Sequence, residues 1–324
     1  MNFRGPARRI LLFSLLALLV GPQVVPRVLG DLKAPLWVEA DNEQLATFVP
    51  PDRIQAWLGD DPAQVRAVHP ADGNLILLIV MDVVGDLIRV DAARQGLVEI
   101  LNRFGPREFA GVLRAQDGLQ VLLEPTSDRE SLKDALLSLP VSGFPGLLES
   151  VEDAATLADR MLIQSDVRIA VLYITDGSIY AYRGDYTNPV INPSDGGDLS
   201  RRFRDRLIQE RITSLLDSLM ASSAPLFFLH LERERDSLNS VYQNGITQFA
   251  QATGGEALFC ESVAQIRPYL EQIVQRVKNQ QVVTVAPPDG VEGRVRLRLE
   301  VEGAKIAYRE QFNVARRPAG DKSK

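Results

Sequence analysis

Residues 74–86 read NLILLIVMDVVGD, and this stretch decides which fold class the sequence predicts. The apolar run Leu75–Met81 shows no polar alternation, which is typical of a strand that is buried on both faces of a sheet. Asp82 and Asp86 follow the run, and a helical pattern begins directly after them. Because ligands of open α/β sheets bind beyond the carboxyl ends of parallel strands, this acidic turn is the first candidate site.

Strand and helix patterns alternate along the middle of the chain, which predicts an α/β fold. Apolar runs at Arg168–Thr175, Pro225–Leu231 and Glu256–Cys260 predict further buried strands, each after an amphipathic helical pattern. Glu108–Leu113 and Leu119–Leu123 flank a short turn and predict an antiparallel pair. We therefore expect a doubly wound, mostly parallel sheet with one antiparallel edge strand, similar to a Rossmann arrangement.

The helical patterns also predict buried faces and helix ends. Apolar residues recur every three or four positions after the first buried strand, at Val90, Ala93, Leu97, Leu101 and Phe104. Ser127 has the right side chain to cap the helix that follows the antiparallel pair. A last helix is expected to begin near Pro268, since proline suits a first helical turn.

Both ends of the chain carry strand patterns without helices. The expected strands are Leu36–Ala40, Ile54–Leu58, Gln64–Val68, Gln281–Val285, Arg294–Glu302 and Ile306–Val314. We expect residues 31–70 and 281–316 to form one small β module beside a domain at residues 71–280. Residues 317–324 are expected to form a mobile tail.

Residues 1–30 have the three parts of an export signal. Three arginines precede the apolar run Ile10–Val20, and a Gly-Pro pair follows it. The run is shorter than the roughly 20 residues that cross a bilayer, so a signal peptide is expected, with an uncleaved anchor as the alternative. Either way, we expect a periplasmic or extracellular protein that meets the membrane only through this segment.

Composition excludes several classes of site. The formal net charge is −6, and residues 1–30 contribute four arginines and no acid, so the rest of the chain is more acidic still. Nucleic acid is not expected as a partner, because its phosphates are bound by Lys and Arg. The single cysteine, Cys260, excludes an intrachain disulfide, and two histidines, His69 and His230, cannot form a histidine-rich metal site.

The order of elements, with strands that end in MDVVGD at residues 81–86 and YITDG at residues 173–177, resembles a von Willebrand factor type A domain. More closely, the chain resembles the bacterial von Willebrand factor A-related proteins, which flank this domain with short strand segments at each end. The resemblance covers roughly residues 36–316. It implies a non-enzymatic, adhesion-type module that binds a protein partner.

The resemblance also implies a metal site. In that family Asp-x-Ser-x-Ser, a Thr from a later loop and an Asp from a further strand hold a divalent cation through oxygen atoms. Asp82 and Asp176 match here, whereas Val84 and Asp86 stand in place of the serines and Pro145 stands nearest the Thr. The implied site is a degenerate metal-ion-dependent adhesion site with Asp82, Asp86 and Asp176 as ligands and Mg²⁺ as the cofactor.

Two interpretations of these carboxylates remain open. Carboxylates at adjacent strand ends repel each other, and binding a cation or protonating one of them relieves the repulsion. Alternatively, Asp86 caps the following helix while Asp82 and Asp176 accept hydrogen bonds from loop N–H groups, which needs no metal.

The segment Ser178–Asp198 follows Asp176 and should overhang the same face. Tyr180, Tyr182, Arg183 and Tyr186 are of types enriched at binding hot spots, so they are the expected partner-binding residues. The alternative is a self-packed loop that covers the sheet end.

Three functions follow from these patterns. The first is an exported module that binds a protein at the face around Asp82 and Asp176. The second is a metal-independent structural subunit of an envelope assembly. The third is a metal-assisted hydrolase with Asp82 as nucleophile, although Val84 stands where such chemistry normally needs a second acid.

Overall fold

The computed structural model describes residues 31–39, 46–165, 167–182 and 199–314, with the side chains of residues 199–205 left out. The strands are β1 Leu32–Glu39, β2 Ile54–Leu58, β3 Asp61–His69, β4 Leu75–Asp82, β5 Glu108–Arg114, β6 Gln120–Thr126, β7 Arg168–Thr175, β8 Leu226–His230, β9 Ala257–Phe259, β10 Gln281–Ala286, β11 Gly293–Val301, β12 Lys305–Tyr308 and β13 Gln311–Val314. The α-helices are α1 Leu87–Leu101, α2 Arg129–Ser138, α3 Leu147–Gln164, α4 Leu199–Leu219, α5 Ser237–Thr253 and α6 Ile266–Lys278.

The central sheet has six strands in the order β6-β5-β4-β7-β8-β9. β4 lies in the middle and pairs in parallel with β5 and β7, and β8 and β9 continue the sheet in parallel. β6 pairs antiparallel with β5 at the edge, with irregular register. The mixed α/β class expected from the sequence is confirmed, with one antiparallel edge strand in this sheet.

Helices cover both faces of the central sheet. Along β4, Leu77, Ile79 and Met81 pack into a cluster with α1, α2 and α6, whereas Leu78 and Val80 pack with α3, α4 and α5. Side chains that alternate between two apolar layers explain why this strand shows no polar alternation in the sequence.

The helix boundaries differ from the predictions at two points. The predicted face of α1 is buried, but Phe104 packs from beyond the end of the helix. The expected cap at Ser127 is wrong, because the Asp128 carboxylate accepts the hydrogen bond from the Glu130 N–H. Asp and Ser are both good cap residues, so the sequence did not distinguish the two neighbours.

The β module joins both ends of the chain, but it is not small. Seven antiparallel strands form it, in the order β12-β1-β10-β3-β2-β11-β13. The single strand expected at Ile306–Val314 is two strands, β12 and β13, which lie at opposite edges of this sheet. The chain passes from one edge to the other through Arg309 and Glu310, so the two edges are close together.

The module packs against the amino ends of the parallel strands. Arg168, the first residue of β7, donates to the carbonyl oxygens of Lys278 and Gln280, which link α6 to β10. Trp37 in β1 donates to the Arg276 carbonyl at 2.7 Å and packs edge-on against Phe227. The carboxyl ends of the strands, where the candidate residues lie, are therefore at the far side from the module.

Candidate functional site

Asp82 and Asp176 lie together at the carboxyl ends of β4 and β7. Asp82 pairs in register with Thr175, and the Asp176 N–H approaches the Asp82 carbonyl at 3.4 Å. The sequence placed both residues after parallel strands, and the sheet brings them side by side. The surface over these ends, formed by residues 84–88, 144–146 and 176–180, is called the strand-end surface below.

The Asp82 carboxyl group is fully buried and uses both oxygens. Oδ1 accepts from the Gly146 N–H at 2.7 Å, and Oδ2 accepts from the Thr175 hydroxyl at 2.9 Å. Burial raises the pKa of Asp82 to about 7, the charges of Asp176 and Glu149 add to this, and the two hydrogen bonds oppose it. Gly146 must lack a side chain, because a Cβ there would overlap the Ala115 carbonyl.

Asp176 holds the turn that follows β4. Its Oδ1 accepts from the Val84 N–H at 2.7 Å, and its Oδ2 accepts from the Gly85 N–H at 2.9 Å. Burial raises the pKa of Asp176, and the bonds from Val84 and Gly85 act in the opposite direction. Its carboxylate therefore fixes the backbone of the acidic turn, as the metal-free interpretation predicts.

Asp86 is the N-cap of α1. Its Oδ1 accepts from the N–H groups of Ile88 and Arg89, at 2.9 Å and 3.2 Å. Its Oδ2 forms a 3.1 Å ion pair with the Arg89 guanidinium, which also binds the Leu231 carbonyl and Glu232. These contacts pair N–H groups that the first helical turn would otherwise leave without acceptors, and they place the Arg89 guanidinium beside Asp86.

The residues present do not fit a divalent cation in this arrangement. Asp82, Asp86 and Asp176 each accept hydrogen bonds through both oxygens, and Val84 and Pro145 offer no side-chain oxygen. Among the described residues, no group of three or more His, Cys, Asp or Glu side chains could hold a metal ion. The assignment of these three residues as metal ligands stays a prediction that needs its own measurement.

A buried polar network lies beneath the site. Thr175 Oγ1 accepts from the Gly177 N–H at 3.1 Å, and the Gly177 carbonyl lies 3.0 Å from His230 Nε2. The Glu232 N–H donates to His230 Nδ1, so Nε2 carries the proton and donates. Burial lowers the pKa of His230 to about 4, so this ring is neutral at physiological pH.

The expected partner-binding residues divide into three groups. Tyr182 is a correction: it is 3% exposed, and its hydroxyl lies 2.8 Å from that of Tyr242, so it is part of the core. Tyr180 is exposed, and its hydroxyl donates to Asp236 at 3.0 Å. Arg183 and Tyr186 lie outside the described residues.

Sequence reasoning missed several residues of this region. Gly146 and Thr175 bind Asp82. A Gly in a loop and a Thr in a strand are both common, so neither residue type indicated this role in the sequence. Leu87, Ile88 and Phe144 are large apolar residues exposed on the strand-end surface. Ile88 gave a usable signal, because it lies opposite the buried face of α1 in the helical period.

Comparisons with known proteins found structural similarity without close sequence relatives. No protein-family profile and no curated protein matches the chain. The conserved hypothetical protein BatB from Bacteroides thetaiotaomicron is 14% identical, with a TM-score of 0.40 over 63% of this chain and 98% of that one. A von Willebrand factor type A protein from Catenulispora acidiphila is 10% identical, with a TM-score of 0.42 over 90% and 76%.

A third structure similar to this chain is proximal thread matrix protein 1 from the mussel byssus, with a zinc-occupied MIDAS motif. It is 12% identical, with a TM-score of 0.43 over 67% of this chain and 49% of that one. These sequence identities and TM-scores are too low for the chemistry of those proteins' sites to be transferred to this chain.

The sheet order and the two aspartates at adjacent strand ends characterise the central domain. Its five parallel strands lie in the order β5-β4-β7-β8-β9 with antiparallel β6 at one edge, and helices cover both faces. These are features that the sequence resemblance to a von Willebrand factor type A domain predicts.

Proposed function

We propose that this chain is an exported, non-enzymatic protein-binding module whose partner contacts the strand-end surface. The observation that carries the proposal is the state of Asp82: the residue on which metal or hydrolytic chemistry would depend is sealed beneath the surface. The loops above it, by contrast, present large exposed side chains. A rigid sheet that positions exposed loops suits recognition of a macromolecule.

The geometry favours binding over hydrolysis. A nucleophilic carboxylate has to reach its substrate, and both oxygens of Asp82 face Gly146 and Thr175 instead. Val84, two residues further, has no acidic group that could protonate a leaving group. Turnover of phosphoester or ester substrates that is lost in Asp82→Asn would contradict the proposal.

Export is proposed from the pattern of residues 1–30. Within the part of the chain that the structure describes, no helix is long and apolar enough to cross a membrane. Fractionation of native cells, followed by protease treatment of intact cells or spheroplasts, is expected to place the chain outside the cytoplasm.

A photo-crosslinking experiment tests the binding surface. A benzophenone amino acid replaces Tyr180 on the strand-end surface, and a matched variant carries it at Ile163, at the carboxyl end of α3. Irradiation of native cells is expected to give a discrete adduct from position 180 and none from position 163. Adducts of equal yield from both positions, or none from position 180, would contradict a partner site on this face.

A second candidate function is a structural subunit of an envelope assembly. The observation that favours it is the complete internal hydrogen bonding of the three aspartates, which suits a decayed site. In that case helix faces would make the contacts, and crosslinks from position 163 rather than position 180 would support it.

A further inference from the structure

A cavity of about 350 Å³ lies where the β module meets the amino ends of the parallel strands. His69 and Pro70, at the end of β3, form its module side, and Asn74, Arg107 and Arg168 form its domain side. Pockets of roughly 300–1,000 Å³ bind small molecules when a few polar groups converge on them. This cavity lies at the opposite end of the sheet from the strand-end surface, so its ligand is independent of the proposed partner.

The central sheet brings two arginines to either side of β4. The Leu75 N–H donates to the Arg107 carbonyl at 2.9 Å, and the Arg168 N–H donates to the Asn74 carbonyl at 2.8 Å. Arg107 directly precedes β5 and Arg168 begins β7, so their Cα atoms are two strand spacings, about 10 Å, apart. Arginine side chains are long enough to converge on one ligand from that separation.

Arg168 brings a buried positive charge to the cavity wall. It is 2% exposed, and its guanidinium donates to the carbonyl oxygens of Lys278, Gln280 and Gly73. Its Nε has no acceptor among the described residues. Burial lowers the pKa of Arg168 to about 10, so the group stays charged at neutral pH.

Arg107 is exposed and has no ion-pair partner in the described part of the chain. Its Nη1 reaches the Asp72 main-chain carbonyl at 3.4 Å, which is a weak hydrogen bond. Arg103, four residues earlier, instead forms a 2.9 Å ion pair with Glu271. The Arg107 guanidinium is therefore available to a ligand in the cavity.

Two acidic side chains lie near these arginines. Glu108 accepts from the Gly105 N–H at 2.7 Å and forms a 2.9 Å ion pair with Lys278, so its charge is compensated. The Asp72 side chain is exposed, and its charge acts on Arg168. Among the described groups, the two guanidinium groups at the cavity therefore outnumber the one carboxylate that has no cation of its own.

We propose that this cavity binds a small molecule through a phosphate group. Arg107 and the Asn74 amide donate to its oxygens, and the buried Arg168 supplies positive charge behind them. Two guanidinium groups match the double charge of a phosphate monoester, whereas a carboxylate carries one charge. The chain as a whole is acidic, which disfavours long polyanions but not a small ion at a local positive site.

Calorimetric titration of the full chain with glycerol 3-phosphate at low ionic strength tests this site. The wild type is expected to bind one equivalent. Arg107→Gln is expected to bind about tenfold more weakly, the usual effect of losing one charge-assisted contact. Asp72→Asn is expected to bind roughly threefold more tightly, because it removes a nearby negative charge. Arg168 is left unchanged, since it also links α6 to β10.

Arg103→Gln is the matched control, because it removes the same charge from a side chain that is 60% exposed and lies outside the cavity wall. Its affinity is expected to equal that of the wild type. Equal weakening in Arg103→Gln and Arg107→Gln would indicate non-specific attraction and overturn the inference. No saturable heat with the wild type, or an unchanged affinity in Arg107→Gln, would overturn it as well. Crosslinking at position 180 decides the proposed function separately.

Discussion

Asp82 lies at the end of β4, where burial disfavours the charged form of its carboxyl group. The pKa is raised from 3.8 to about 7, chiefly by burial. Between these pH values the folded state binds more protons at this site than the unfolded state does, so stability falls as pH rises. The free energy of unfolding that protonated Asp82 contributes is fully present below pH 3.8 and is lost as the pH rises through about 7.

Replacing Asp82 by Asn is expected to stabilise the protein above neutral pH. The amide carbonyl can still accept from the Gly146 N–H, and the buried charge disappears. At pH 8 the free energy of unfolding is expected to rise by on the order of 2–4 kcal/mol, and near pH 4 the two proteins should be similar. Urea unfolding of both proteins at each pH measures the difference.

Asp128→Asn provides a control of opposite sign. Hydrogen bonds from Ser131 and the helix N–H groups lower the pKa of this exposed cap, so its contribution is present at high pH and lost on acidification. This variant should lose stability at pH 8, not gain it. His230 titrates in both the variants and the wild type, so its effect cancels in each difference. A destabilised Asp82→Asn at pH 8 would show that the carboxylate charge holds the site together.

At the level of elements, the sequence predicted which segments form strands and helices better than it predicted where those elements end and what they contact. The apolar runs predicted β4, β7 and β8 because each is buried on both faces. The division of residues 306–314 was not visible, because Arg309 turns the chain by contacting a helix from another part of the sequence. Likewise, no local pattern distinguishes the buried Tyr182 from the exposed Tyr180.

Close packing of α4 against α5 depends on Gly245. A Cβ at this position would overlap the side chain of Ile212, which is buried and β-branched and therefore has little freedom to move. Gly245→Ala gains about 1 kcal/mol of helix propensity but costs roughly 2–3 kcal/mol in overpacking. We expect a net loss of about 1–2 kcal/mol in the free energy of unfolding, measured in urea.

Gly96→Ala is the matched substitution on the other face of the sheet. Its Cβ would lie 3.1 Å from Leu270 Cδ1, the end of a flexible side chain that can shift by a few tenths of an ångström. This variant is expected to be neutral or slightly stabilised, because the gain in helix propensity remains. Equal effects of the two substitutions would refute the packing argument for Gly245.

On the scale of the whole molecule, the β module and the strand-end surface lie at opposite ends of the central sheet. The sequence predicted that Asp82 and Asp176 meet, since both follow parallel strands. It did not predict which donors bind them, because Gly146 reaches Asp82 through a loop 64 residues further along the chain. The same limit applies to the module, whose docking depends on contacts between distant segments.

Arg309 is the main polar link between the module and α4. It is 1% exposed and donates to the carbonyl oxygens of Leu219, Met220 and Ser222 at the end of that helix. Burial lowers its pKa to about 9, so it remains charged at neutral pH. A cation at the carboxyl end of a helix is favourable, and this one gives a second donor to the Leu219 and Met220 carbonyls, which also accept from the Ser222 and Asn313 N–H groups.

Replacing Arg309 by Met should therefore weaken the docking of the module more than it lowers the stability of the central domain. Removing the guanidinium is expected to cost roughly 1–3 kcal/mol, because the Ser222 carbonyl loses its donor, whereas the Leu219 and Met220 carbonyls keep the N–H groups of Ser222 and Asn313. Both tryptophans of the chain, Trp37 and Trp57, lie in the module, so fluorescence follows the module, whereas far-ultraviolet circular dichroism is dominated by the helices of the domain. In urea the wild type is expected to show coincident transitions, and in Arg309→Met the fluorescence transition should move to lower urea than the dichroism transition.

Arg296→Met is the control, since it removes an exposed ion pair with Glu310 and should shift neither transition. Coincident transitions in Arg309→Met, at the midpoint of the control, would mean that apolar contacts such as Trp37 with Phe227 hold the module in place without this arginine.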